Sequence, residues 1–228
     1  MADSFTPMLS TSTTHIRHGF TKNRLLQGLA AWYALVWVVT ALRPLDRHDW
    51  FLENLLVFAM VVVLVATYRL FPLSDLSYVL ITLFMTLHAV GAHYTYAEVP
   101  LGFWMRDTFG FARNHFDRVV HFSFGLLMAY PIREVFLRVA NARGFWAYYL
   151  PLDVTLAFSA LYEIMEMVIA TLVAPGTGAA WLGTQGDVWD AQKDMGLAAL
   201  GALLCMCITA LIRKFRARQP ILLAGGDG

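Results

Sequence analysis

Glu163 and Glu166 stand near the middle of an apolar run, Pro151–Val173, that reads as a membrane-spanning helix. Carboxylates at that depth are costly, so they turn to a polar interior and mark sites by default. Ser159, Glu163 and Glu166 form an i, i+4, i+7 stripe, with Tyr162 beside it. Such spacing puts them on one helix face. Asp117 and His121 are four apart at the start of an earlier run. Asp187, Asp190 and Asp194 form a third stripe if a helix begins near Gly186. A carboxylate beside an imidazole can act as a general acid or base or as a proton relay. With more carboxylates it can hold a divalent cation.

Glu163, Glu166 and His121 are therefore the candidate catalytic groups. Asp117, His121, Glu163, Glu166, Asp187, Asp190, Asp194 and Arg113 are the candidate ligand-binding residues, with His88 and Glu98 near them. His88, His121 and Glu166 are candidate ligands for a divalent cation. His88 and His93 are five apart and splay by about 140° on a helix, so they do not form a metal-binding pair by themselves. Asp187 or Asp190 can cap the helix that follows, and Gly183 and Gly186 permit unusual backbone there. If the glutamates are instead structural, their ion-pair partners should be Arg113, Arg118 or Lys193.

The elements that must position these groups follow from composition. The 228 residues are 58% hydrophobic and 14% charged, against about 25% charged in soluble domains. Mean hydropathy is +0.57. Six stretches approach the roughly 20 apolar residues a crossing needs: Leu25–Leu42, Phe51–Leu70, Leu76–Tyr96, Asp117–Phe136, Pro151–Val173 and Ala191–Ile212. The expected fold is all-α, a polytopic membrane bundle of six helices over residues 25–212, with tails at 1–24 and 213–228. No cleavage pattern follows the first run, which is continued by Arg43-Pro44-Leu45-Asp46. Gly196, Ala198, Ala199, Gly201 and Ala202 in the last run favour close helix approach. Trp104, Trp181, Trp189, Tyr94 and Tyr96 read as an aromatic belt. Cys205 and Cys207 point to different faces and read as core packing.

A net charge of +1 gives no case for nucleic acid; the partners expected are membrane lipids and a small or lipid-linked molecule. The distribution of charge says more. Eleven Lys and Arg fall on the side of the two termini and six on the other. Positive residues favour the cytoplasm, so both termini are expected there. The acidic and histidine residues then gather in the outer half of the bundle.

Four strings carry a resemblance: residues 93–102, 113–122, 129–134 and 183–195, the last being Gly-Thr-Gln-Gly-Asp-Val-Trp-Asp-Ala-Gln-Lys-Asp-Met. Together they resemble the YjdF-type family of bacterial inner-membrane proteins. The resemblance implies a bacterial inner-membrane location and this topology; it supplies no activity and no cofactor. A shorter pattern is similar to VanZ-like proteins: Asp117 and His121 opening a helix, Glu163 and Glu166 in a later one, and Asp194 before Gly196 and Gly201. That family is associated with glycopeptide tolerance at the cell envelope. The chain departs from it in loop lengths and in the Gln that usually follows the acidic pair.

Three functions fit these observations. One is a site that binds or processes an envelope or lipid-linked molecule from outside. The second is a proton- or cation-coupled transporter using the same glutamates. The third is a structural or assembly factor with buried ion pairs. The first needs access from one face only, and the inner half of the bundle reads as sealed by Leu, Val, Phe and Met.

Overall fold

The computed structural model describes residues 20–172 and 184–218. Among them are seven α-helices: α1 (Arg24–Ala41), α2 (Arg47–Thr67), α3 (Asp75–His93), α4 (Pro100–Phe109), α5 (Phe116–Arg138), α6 (Trp146–Leu172) and α7 (Asp190–Arg218). Local chemistry starts the first three. The Asn23 side chain accepts from the Leu26 N–H at 3.0 Å. Asp46 accepts from His48 and Asp49 at 2.8 and 2.9 Å. The Ser74 hydroxyl accepts from the Ser77 N–H at 3.3 Å. Each satisfies N–H groups that a helix start leaves open, a strict demand in lipid.

Five helices, α1, α2, α3, α6 and α7, are long and apolar enough to cross a bilayer. The fold is a polytopic helical membrane protein. α5 is the most polar of the expected crossings, because Asp117 and Arg118 open it and Arg133, Glu134 and Arg138 close it. Its middle, from Phe122 to Ile132, is apolar. It is also the central helix, packed on α3, α6 and α7, and its His121 and Arg133 are buried against protein. α1 and α2 lean on α3 from the far side.

Three boundaries differ from the sequence expectation. The third connection is not a plain loop but contains α4, at 10 residues too short to cross. Pro100 opens α4, and Gly110 closes it at φ 69°, a left-handed conformation that costs glycine nothing. α6 starts at Trp146, with Pro151 inside it. α7 starts at Asp190, not near Gly186, and runs through to Arg218, beyond the end expected at Ile212.

α5 and α7 form the tightest pair. A Cβ on Gly125 would overlap the Ala198 carbonyl oxygen, and one on Gly201 would overlap the Phe122 carbonyl oxygen. Ala198 and Ala202 are wholly buried in the same seam. With no water to expel between helices in lipid, such backbone contact is the main attraction available. The small-residue stripe in α7 was expected to pack; its partner Gly125 was not. Cys205 packs in this seam, whereas Cys207 is exposed, contrary to the expectation that both lie in the core.

The bundle has two unlike ends. At the end holding the described start and finish of the chain, Glu134 accepts from the Ser74 N–H (2.9 Å), the Ser74 hydroxyl (2.8 Å), the Ser77 hydroxyl (2.6 Å) and Arg138 (2.8 Å). This network pins the α2–α3 connection to α5 with its carboxylate fully satisfied. The other end holds the α1–α2 connection, the α3–α5 region with α4, and the approach to α7. The candidate residues lie there.

Candidate functional site

The outermost layer is a clamp between two loops. Gln185 and Asn114 pair reciprocally: the Asn114 N–H donates to Gln185 Oε1 at 3.1 Å, and Gln185 Nε2 donates to the Asn114 carbonyl at 2.9 Å. The buried Asn114 side chain donates to the Val99 carbonyl at 3.0 Å and accepts from the Phe116 N–H at 3.0 Å. Gly102 on α4 leaves the space that this side chain fills. One residue thus ties α4, the loop and the start of α5 together.

Charge completes the clamp. Arg113 makes a two-pronged pair with Asp190 and donates to the Thr184 carbonyl at 2.6 Å. Arg118 pairs with Asp187 at 2.5 Å and lies 3.5 Å from Asp190. Lys193 reaches Asp187 at 2.7 Å. Asp187 precedes α7 and accepts from the Trp189 N–H at 3.1 Å. The Lys193 ammonium above all, with that N–H and Arg118, holds the Asp187 carboxyl well below the usual carboxylate range. His115 stacks on Phe111 with ring centroids 4.6 Å apart. Burial, then the nearby Arg118 and Arg113, lowers its pKa, so it stays neutral.

Beneath the clamp lies the second layer. His121 is buried on α5, with Nε2 3.6 Å from Asp117 Oδ1 and 3.4 Å from Glu163 Oε1. Its Nδ1 is 3.5 Å from the Ser159 hydroxyl. Asp194, from α7, is 1% exposed, and its Oδ1 has no hydrogen-bond partner; neither has Glu163 Oε1. One ligand atom each from Asp117, His121 and Asp194 lie within 4.8 Å of one another.

The third layer joins the expected His88, Tyr162 and Glu166 to two residues that were not anticipated in the site, Glu53 and Tyr96. Glu53 on α2 is 4% exposed. Its carboxylate accepts from the Tyr162 hydroxyl at 2.9 Å and lies 3.8 Å from His88 Nε2. His88 Nε2 also lies 3.2 Å from the Glu53 carbonyl, and Nδ1 meets the Tyr96 hydroxyl at 2.6 Å. Gly91 makes room for the Tyr96 ring. Glu166 joins this layer, with Asp117, Glu163 and Glu53 as charged neighbours and Tyr162 within hydrogen-bonding reach. One signal for Glu53 was available: Asp49 and Glu53 are four apart on an apolar helix. It is easily passed over because both sit in the first two turns, where acidic residues also serve the helix dipole.

Asp117, His121, Glu163, Glu166, Asp190, Asp194 and Arg113 thus share one end of the bundle, and Asp187 joins from the loop. The partners differ from the ion-pair expectation. Arg113, Arg118 and Lys193 turn to Asp187 and Asp190, while the close charged neighbour of Glu163 is His121. His88 has both ring nitrogens engaged and lies outside the group that converges for a metal, as does Glu166. Glu98 is exposed at the surface. Tyr96 is buried on His88 and is no part of a belt, whereas Trp104 and Trp189 are exposed, as a belt requires. Trp181 and Gly183 lie outside the described residues.

The comparisons agree with this architecture. The model of the family described as "Predicted membrane protein (DUF2238)" matches residues 25–215. The chain belongs to that family. It is also 40% identical over 200 residues to inner membrane protein YjdF of Escherichia coli (strain K12), a match covering 87% of this chain and 93% of that protein. No solved structure matches. With five helices long and apolar enough to cross, the chain is a multi-pass inner-membrane protein.

Proposed function

We propose that this protein binds an envelope or lipid-linked molecule in the layered acidic and histidine chamber, from the outer face of the inner membrane, with both termini cytoplasmic. One observation carries the reading: toward the terminal end the acidic and histidine groups stop at an apolar floor. Toward the terminal end, Val57, Ile81, Met85 and Met128 form a buried apolar cluster, and Ala129, Ala202, Cys205 and Met206 form another. A coupled transporter needs polar groups through that depth; these clusters are apolar, and the buried polar side chains beside them, Thr155, Thr209 and Arg133, include no carboxylate or histidine to carry a proton. A scaffold of ion pairs would engage Glu163 and Glu166 with the nearby cations, which instead clamp the loops. The resemblance of Asp117, His121, Glu163, Glu166 and Asp194 to the VanZ-like pattern favours the envelope, and the charge asymmetry supports the orientation.

In this reading Glu163 is the acid or base, with the His121 imidazole 3.4 Å away as its neighbour. Asp117 and Ser159 orient the imidazole. The clamp of Arg113, Arg118, Asp187 and Asp190 sets the rim.

Two measurements test it. Val188 is 84% exposed beside the clamp. In a background of Cys205→Ala and Cys207→Ala, Val188→Cys should react with a membrane-impermeant maleimide on intact cells. Reaction only after lysis would reverse the orientation. Native mass spectrometry of protein extracted from its own membrane should show a bound molecule that Glu163→Gln loses while staying folded. Identical spectra for the two proteins would remove Glu163 from binding.

A further inference from the structure

We infer that Asp117, His121 and Asp194 form a divalent-cation site inside this chamber, of the kind that takes Mn2+ or Zn2+. The inference rests on the chamber being a binding site and names what occupies its second layer. Three helix positions deliver the ligands: the first two turns of α5 supply Asp117 and His121, and the second turn of α7 supplies Asp194. Their ligand atoms lie within 4.8 Å of one another. Ligand atoms around one ion, with bonds of about 2.0–2.2 Å, are at most about 4.4 Å apart. Small side-chain adjustments close that difference. The 3.6 Å between His121 Nε2 and Asp117 Oδ1 is already near the edge of about 3.4 Å that such bonds give a tetrahedron.

A second observation, independent of the clustering, points to an occupant. Asp194 is 1% exposed and its Oδ1 has no hydrogen-bond partner. Buried carboxylate oxygens are almost always satisfied, and leaving one bare costs more than a neutral group would. No nearby cation donates to this oxygen: Lys193 pairs with Asp187, Arg113 holds Asp190 and the Thr184 carbonyl, and Arg118 pairs with Asp187 while its Nε is left without a partner. An ion at the centre of the three ligands satisfies Asp194 and offsets the crowding of Asp117, Glu163 and Asp194.

The surroundings match those of a metal-bound histidine. Ligating imidazoles turn their second nitrogen to a hydrogen-bonding partner that fixes the ring. Here Nδ1 faces the Ser159 hydroxyl at 3.5 Å while Nε2 faces the carboxylates. Two carboxylates and one imidazole suit Mn2+, Fe2+ or Zn2+ rather than a thiol-seeking ion. Three protein ligands leave positions for water or a ligand oxygen, the arrangement of a working site rather than a closed structural one. Glu163, with Oε1 unpartnered 3.4 Å from Nε2, stands where it can accept a proton from such a water.

The test uses the full chain in detergent, purified through a tag without histidine, stripped with EDTA and titrated with MnCl2 or ZnCl2 alone. The expected result is one Mn2+ or Zn2+ per chain by elemental analysis after desalting, and a melting temperature that rises with metal concentration. Asp194→Asn and His121→Gln should each weaken binding at least tenfold. Asp107→Asn, 66% exposed and away from the chamber, should retain it. Without metal, Asp194→Asn should melt at or above the stripped wild type, because it removes an unbalanced buried charge. Wild type that binds less than a tenth of an equivalent overturns the site. So does unchanged binding in both ligand variants, or an Asp194→Asn protein that melts below stripped wild type. A negative metal result leaves the maleimide and mass-spectrometry results untouched, so the two readings fail separately.

Discussion

Replacing Asp190 by Asn tests the clamp at the outer rim of the site. Asp190 and Arg113 have side chains only 5% and 10% exposed, so neither can turn to water when its partner is lost. Removing one member of a buried pair costs about 3–5 kcal/mol. Asn keeps an oxygen for one guanidinium N–H, and Arg113 keeps the Thr184 carbonyl at 2.6 Å. What is lost is the charge, and with it the difference between a charge-assisted and a neutral hydrogen bond. The expected cost is therefore about 2–3 kcal/mol, below the full figure. For a chain of this size that corresponds to a fall of about 4–12 °C in melting temperature, read by thermal melts in detergent. Arg113→Met combined with Asp190→Leu should cost at least about 1.5 kcal/mol less than the sum of the two single changes, because the pair is coupled. Limited proteolysis should cut near Gln185–Val188 faster in Asp190→Asn than in wild type. A single variant that melts within about 2 °C of wild type, or a double variant that costs the full sum, would show that the pair does not hold the loops.

Three other outcomes follow from the same geometry. Gly125→Ala should lose about 1–3 kcal/mol or more, since its Cβ meets backbone that cannot rotate away; Gly196→Ala, with nothing within 4 Å, should be neutral or gain a few tenths from helix propensity, and equal melts for the two would discount the seam. Tyr96→Phe should cost about 1–3 kcal/mol by leaving His88 Nδ1 without its buried partner, and melting unchanged within 1 °C would contradict that bond. The folded Asp187 carboxyl is held below its ordinary value, first by Lys193. Its stabilising contribution is therefore complete above the ordinary carboxylate pKa of about 4 and fades as pH falls through the lower folded value. The gap in stability between wild type and Asp187→Asn should be constant from about pH 8 to 5 and close below about pH 4; a gap that widens on acidification would reverse the sign.

Much of the site was legible one helix at a time. The contact of Asp117 with His121 and the shared face of Ser159 and Glu163 follow from i, i+4 geometry, which an α-helix fixes wherever it lies. The gathering of polar groups at one end follows as well, because a carboxylate in an apolar helix has no tolerable place in lipid. What failed locally was the start of α7. Asp187 would have continued the stripe in a longer helix, but its carboxylate accepts from the Trp189 N–H ahead of Asp190 and turns to Arg118 and Lys193. α4 was missed because ten residues carrying Arg106 and Asp107 do not read as a crossing.

Which residue meets which across helices belongs to the tertiary structure alone. Glu53 is an ordinary early-helix acid until α3 and α6 bring His88 and Tyr162 to it. Tyr96 is a belt residue until the absence of a side chain at Gly91 lets its ring turn onto His88. Asp194 is one more acid near a helix start until the Gly125–Gly201 seam draws α7 against α5 and sets it beside His121. The physical reason is that side-chain spacing along a helix is a property of the chain, whereas the rotation and register of one helix against another are set by where small residues allow backbones to touch.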